Sequence, residues 1–250
     1  MIPNQYHIIL VTLLSLSSFS LAKNIYARCY RTNISFMAIN LWIKAGIVCY
    51  GLSIIPLSSL FSGVLWKEIL ALLVGIPLGC FYIYLEKSLS RFFSRKNPVL
   101  QRPYSTKKLT YNIKSLGLMS QLSEKLNLLV DHKAREIGAS DIMNASLGTL
   151  LLIGVAEEII YRGFLTFTIE NLSISFIKIP GLLCIAFLFA FTHAPYHFSQ
   201  MLCKFLFSLL TLVSFLILGT LTTAIVMHVY LNSAAWVYQK AGGLRPASRG

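Results

Sequence analysis

Apolar runs recur along this chain from its beginning to its end, each near the roughly 20 residues that a helix needs to cross a bilayer. They fall at about 8–22, 36–61, 69–85, 146–169, 179–198, 201–221 and 222–238. Composition agrees with a lipid solvent: 56% of residues are hydrophobic and 12% charged, against roughly 25% charged in a soluble domain. The expected fold is therefore all-α: a polytopic transmembrane helix bundle with about seven spanning helices, in one integral membrane domain over residues 1–250. No internal repeat is evident, and no second soluble domain has room.

The formal net charge of +13 raises the question of nucleic acid, but the basic residues are distributed as a topology signal. Eleven of the 22 lie between Lys87 and Arg135, in one block between apolar runs. The positive-inside rule makes that block, a basic connector over 86–144, cytoplasmic. It mixes apolar and charged residues at helical spacing, which predicts one or two amphipathic helices at the interface. The lipid bilayer is the expected partner and nucleic acid is not.

Alternating the runs from this loop places the N-terminus outside and the C-terminus in the cytoplasm. Lys67 and Lys178 then fall near the outer interface, where they can snorkel. The first run ends in "SLAK", which has the small residues of a signal-peptidase site. No Lys or Arg precedes it, so it reads as an uncleaved first helix. Cys29, Cys49, Cys80, Cys184 and Cys203 lack metal-type pairing and read as packing residues.

Ionisable residues inside such runs are functional candidates by default, because a charge at the bilayer centre costs roughly 2.5–3.5 kcal/mol on insertion scales. The run "GVAEEIIYRGFL" carries Glu157, Glu158 and Arg162. Residues four apart share a helix face and adjacent ones diverge by about 100°. Glu158 and Arg162 are thus expected to pair, as helix-packing support or as part of a site. Glu157 points elsewhere with no cation at helical spacing, and a carboxylate buried in that way suits a general base.

"FAFTHAPYHF" places Phe189, His193 and His197 four apart, and "MHVYLN" places His228 and Asn232 four apart on the last run. Each alone could be an interhelical hydrogen bond. Together, an unpaired carboxylate, two imidazoles and an amide supply a base, a possible acid and two donors for a tetrahedral intermediate, enough for water-driven amide hydrolysis.

In order, these segments fit E-E-x-x-x-R, F-x-x-x-H and H-x-x-x-N. On those motifs the sequence resembles the CPBP family of intramembrane glutamic endopeptidases, which includes type II CAAX prenyl endopeptidases and bacterial Abi proteins. The resemblance covers a catalytic core over about 146–238. It implies that Glu157 and His193 activate water, that His228 and Asn232 form the oxyanion hole, and that Glu158, Arg162 and Phe189 support them. It implies no cofactor and no metal. The substrate would be a peptide precursor or a membrane-associated protein tail, lipidated in the CAAX case.

His197 is extra to the pattern. With His193 it has a spacing compatible with zinc, although Pro195 between them interrupts the helix. Two other classes remain open from sequence. One is a non-proteolytic immunity or scaffold protein. The other is a proton-coupled transporter, which leaves the His228–Asn232 pair without a purpose.

Overall fold

Two serines start the helices that matter most to the site. Ser35 Oγ accepts from the Ala38 amide at 3.1 Å, and Ser146 Oγ accepts from the Thr149 amide at 3.1 Å. Each satisfies one of the amides that a first turn leaves without a helical partner. The computed structural model describes residues 5–28, 35–96, 145–172, 175–193, 198–238 and 240–241. Within them run α1 (Gln5–Arg28), α2 (Phe36–Leu52), a short 3₁₀ turn (Leu57–Ser59), α3 (Leu65–Lys96), α4 (Leu147–Glu158), a π-helical segment (Ile159–Leu165), α5 (Thr166–Glu170), α6 (Ser175–Phe191), α7 (Phe198–Leu218) and α8 (Thr222–Tyr238). No strand occurs among the described residues.

The seven expected spans are only partly matched by length and hydropathy. Leu65–Leu89 and Gln200–Leu218 are long and apolar enough to cross a membrane, whereas Phe36–Leu52 and Ser175–Phe191 are apolar but shorter. At 1.5 Å per residue, 17 residues reach about 26 Å, slightly less than a hydrocarbon core of about 30 Å. The third helix is longer than its apolar run because the charged stretch after Leu85 continues the same helix to Lys96. The amphipathic helices expected in the rest of the basic connector lie outside the described residues.

Small residues let α8 approach α3 closely. A Cβ built on Gly75 would lie 2.9 Å from the Val226 side chain, and one on Gly79 would lie 3.0 Å from the Tyr230 ring. Gly75 and Gly79 are four apart, so they form one groove into which the Val226–Tyr230 ridge fits, the arrangement that van der Waals packing between membrane helices favours. One turn further along the same stripe, the Thr223 hydroxyl donates to the Ala71 carbonyl at 3.3 Å.

A polar clasp ties the ends of these two helices. The Glu68 carboxylate accepts from the Ser62 amide at 2.9 Å, from the Ser62 hydroxyl at 2.8 Å and from the Thr220 hydroxyl at 2.8 Å. The Thr222 hydroxyl donates to it as well. Beside the clasp the Leu221 amide donates to the Leu60 carbonyl at 3.0 Å, so the turns before α3 and α8 hold each other.

The largest buried cluster gathers Ile47 of α2, Tyr82 of α3, Tyr161 of the π segment, Phe189 of α6, Phe207 of α7 and Met227 of α8. Large apolar side chains remain outside: Trp66, Leu73, Phe176, Ile179 and Ile217 are all exposed. On a protein in water such a surface would be a liability; on these helices it matches a lipid-facing exterior. Lys178, expected to reach an interface, donates from Nζ to the Glu170 carbonyl at 2.6 Å and so caps α5.

Candidate functional site

Glu157 and Glu158 close the last turn of α4, where the backbone passes into the π segment that carries Arg162. π-helical turns are rare and are often found at functional sites. Here the turn lies in the buried middle of the bundle, and Glu158 and Arg162 are fully enclosed.

The expected pairing within this helix is present. Arg162 Nη1 donates to Glu158 Oε1 at 3.3 Å. The guanidinium also lies 4.3 Å from the centre of the Phe189 ring, so part of its desolvation cost is offset by the π face. Its Nε and Nη2 find no protein acceptor among the described residues.

Two features differ from the sequence reading. First, Glu157 is not left without a cation: Lys44 Nζ of α2 donates to Glu157 Oε1 at 2.7 Å, with both side chains buried. Helical spacing registers only partners on the same helix, and this one comes from 113 residues away. Second, the adjacent carboxylates do not diverge to separate surroundings. His228 Nδ1 donates to Glu158 Oε1 at 2.6 Å, and its Nε2 lies 3.6 Å from Glu157 Oε2. One imidazole is wide enough to meet both, because its two nitrogens point in opposite directions.

Asn232 lies one turn beyond His228 on α8, as its spacing predicted, and its amide donates to the Leu150 carbonyl of α4 at 2.9 Å. An Asn amide has two N–H donors, so this bond leaves the second available. Gly154 makes room for both residues: a Cβ there would lie 2.9 Å from Asn232 Nδ2 and 3.1 Å from His228 Cδ2.

His193 lies in a turn just past the end of α6 rather than on the helix. Its Nδ1 donates to the Phe189 carbonyl at 2.9 Å, with the Thr192 hydroxyl 3.2 Å away. A carbonyl can only accept, so Nδ1 carries a proton. His193 is half-buried and near enough to Glu157 for the two to interact electrostatically. His197 lies outside the described residues.

Phe189 is the hub of this arrangement. Its ring centre is 4.9 Å from that of His193, 5.2 Å from that of Tyr161 and 6.1 Å from that of His228, besides its contact with Arg162. A rigid ring in the middle fixes the spacing of the groups around it.

The described residues thus bring together two glutamates, two histidines, an arginine, a lysine and an asparagine in a largely buried cluster, a class of site suited to moving protons on and off water or substrate. Residues 140–234 match the family model described as Type II CAAX prenyl endopeptidase Rce1-like. That stretch holds every residue of the three motifs, so the family resemblance read from them is borne out there. The family is one of membrane-embedded proteases that act on prenylated protein C-termini. No curated protein and no solved structure matches the chain.

Lys44 is the site residue that sequence reasoning missed. A signal was present: a lysine in the middle of an apolar run is as costly as a glutamate there, and the two need each other.

Proposed function

We propose that this chain is an intramembrane endopeptidase that hydrolyses a peptide bond near the C-terminus of a membrane-associated protein or peptide. The observation that carries the reading is the His228 imidazole set between Glu157 and Glu158, within the stretch that matches a protease family. Two structural ion pairs would need only Glu157 with Lys44 and Glu158 with Arg162. The two imidazoles beside them are what general acid–base chemistry adds.

In this mechanism Glu157 Oε2 takes a proton from a water that His193 Nε2 helps to hold. The water oxygen attacks the scissile carbonyl carbon, and the carbonyl oxygen gains the negative charge. The proton that Glu157 takes is shared with His228 Nε2, 3.6 Å from Oε2, so that Nε2–H and the second N–H of Asn232 donate toward that oxygen. Collapse of the intermediate breaks the C–N bond, and the proton held by Glu157 passes to the leaving amine. Glu158 and Arg162 act through His228: Glu158 fixes the ring by accepting from Nδ1, and Arg162 neutralises Glu158.

The test is cleavage by the full chain in lipid nanodiscs, using a prenylated peptide and its unprenylated counterpart. Glu157→Gln is expected to lower turnover by about 10²–10⁴-fold, the range of a lost general base. Undiminished turnover in that variant sinks the reading.

A further inference from the structure

We infer that Lys44 is the positioning residue for Glu157, holding its carboxylate ionised and turned so that one oxygen works on water. The inference rests on the reading of Glu157 as the base. It begins outside the family stretch, since Lys44 belongs to α2 and the family match starts at residue 140.

The geometry divides the two oxygens of Glu157. Oε1 accepts from Lys44 Nζ at 2.7 Å, and Oε2 faces His228 Nε2 at 3.6 Å. A carboxylate fixed at one oxygen by an ammonium cannot rotate freely, so its other oxygen keeps a constant direction. The charges also balance: Glu157 and Glu158 are matched by Lys44 and Arg162. Removing Lys44 leaves two carboxylates against one guanidinium in an enclosed space. A buried group in that position binds a proton rather than stay charged and unpaired, and a protonated carboxyl cannot take a proton from water.

The face of α2 supports this role. Phe36, Asn40, Lys44, Ile47 and Gly51 form its buried stripe, and Asn40 Oδ1, one turn from Lys44, has no protein partner among the described residues. A helix that served only to pack would carry apolar residues at both positions.

The experiment uses the full chain in nanodiscs with Lys44→Met, Lys44→Arg, Lys44→Gln and the double variant Lys44→Met with Glu157→Gln. Lys44→Met is expected to lower kcat about 10–100-fold with KM within about twofold, the signature of a group that matters at the chemical step. Its infrared spectrum is expected to gain a protonated carboxyl band that the double variant lacks. Lys44→Arg keeps the charge and is expected to recover kcat to within about tenfold of the parent, with no such band.

Parental kcat in Lys44→Met, a raised kcat, or the absence of the carboxyl band overturns the inference. If Lys44→Met does not fold, Lys44→Gln takes its place, and parental kcat there is equally decisive. Cleavage that survives Glu157→Gln overturns the proposed function instead, and the infrared band still reports whether Lys44 keeps Glu157 ionised.

Discussion

His228 joins two neighbouring glutamates through the two ends of one ring, with Nδ1 at 2.6 Å from Glu158 Oε1 and Nε2 at 3.6 Å from Glu157 Oε2. Glu158 therefore sets the tautomer, and the ring in turn separates its carboxylate from that of Glu157. His228→Ala is expected to remove both effects. Cleavage should fall to background, and stability should drop by about 2–3 kcal/mol, the worth of a buried hydrogen bond to a charged group. Chemical denaturation in mild detergent beside the cleavage assay checks both numbers.

Arg162 combines an ion pair with stacking, and the two can be separated. Arg162→Met leaves Glu158 with no guanidinium and is expected to cost about 3–5 kcal/mol, as removal of one partner of a buried pair does. Arg162→Lys keeps the charge but has no planar group to lie against Phe189, 4.3 Å away. It is expected to lose about 2 kcal/mol, near the value of a desolvated cation–π contact. Equal stability of Arg162→Lys and the parent in thermal unfolding would show that stacking contributes nothing.

What the sequence reveals of this site follows from where partners lie along the chain. Glu158 with Arg162, and His228 with Asn232, are four apart and legible as helix faces. The last run, read at 222–238, is the helix Thr222–Tyr238. The Lys44–Glu157 pair was not legible from periodicity, which on one helix says nothing of a neighbour contributed from 113 residues away; only the cost of a lysine within an apolar run pointed to it. Nor was the π segment, which follows directly on Glu158, since residue types there differ little from those of an ordinary helix. The apolar stripes indicated that helices pack, while Gly75 and Gly79 decided how closely α8 comes to α3.

The Glu68 clasp lies on α3 and the turn before α8, away from the ionisable cluster, and gives a contrasting prediction. Its carboxylate gathers donors from Ser62, Thr220 and Thr222. Glu68→Ala is expected to lower stability by about 1–2 kcal/mol through lost hydrogen bonds, while kcat per folded molecule stays within about twofold. A loss of kcat much larger than this, with folding intact, would mean that the turn before α8 sets the position of His228 rather than merely fastening the helix.

Gly154 tests how finely the site is placed. It lies one turn before Glu157 and Glu158, opposite α8, and a methyl group there would press on Asn232 Nδ2 at 2.9 Å and on His228 Cδ2 at 3.1 Å. Both are side chains, so they can yield by a few tenths of an ångström, and Gly154→Ala is expected to fold with a penalty of about 1–3 kcal/mol for overpacking. Displacement of that kind falls on the two groups assigned to the carbonyl oxygen and leaves the remainder of the substrate's contacts alone. kcat is therefore expected to fall about 10–100-fold with little change in KM, since misplacement of up to about an ångström costs that much. Steady-state kinetics of this one variant separates the assignments: a rise in KM at constant kcat would place His228 and Asn232 in substrate binding rather than in stabilising the intermediate.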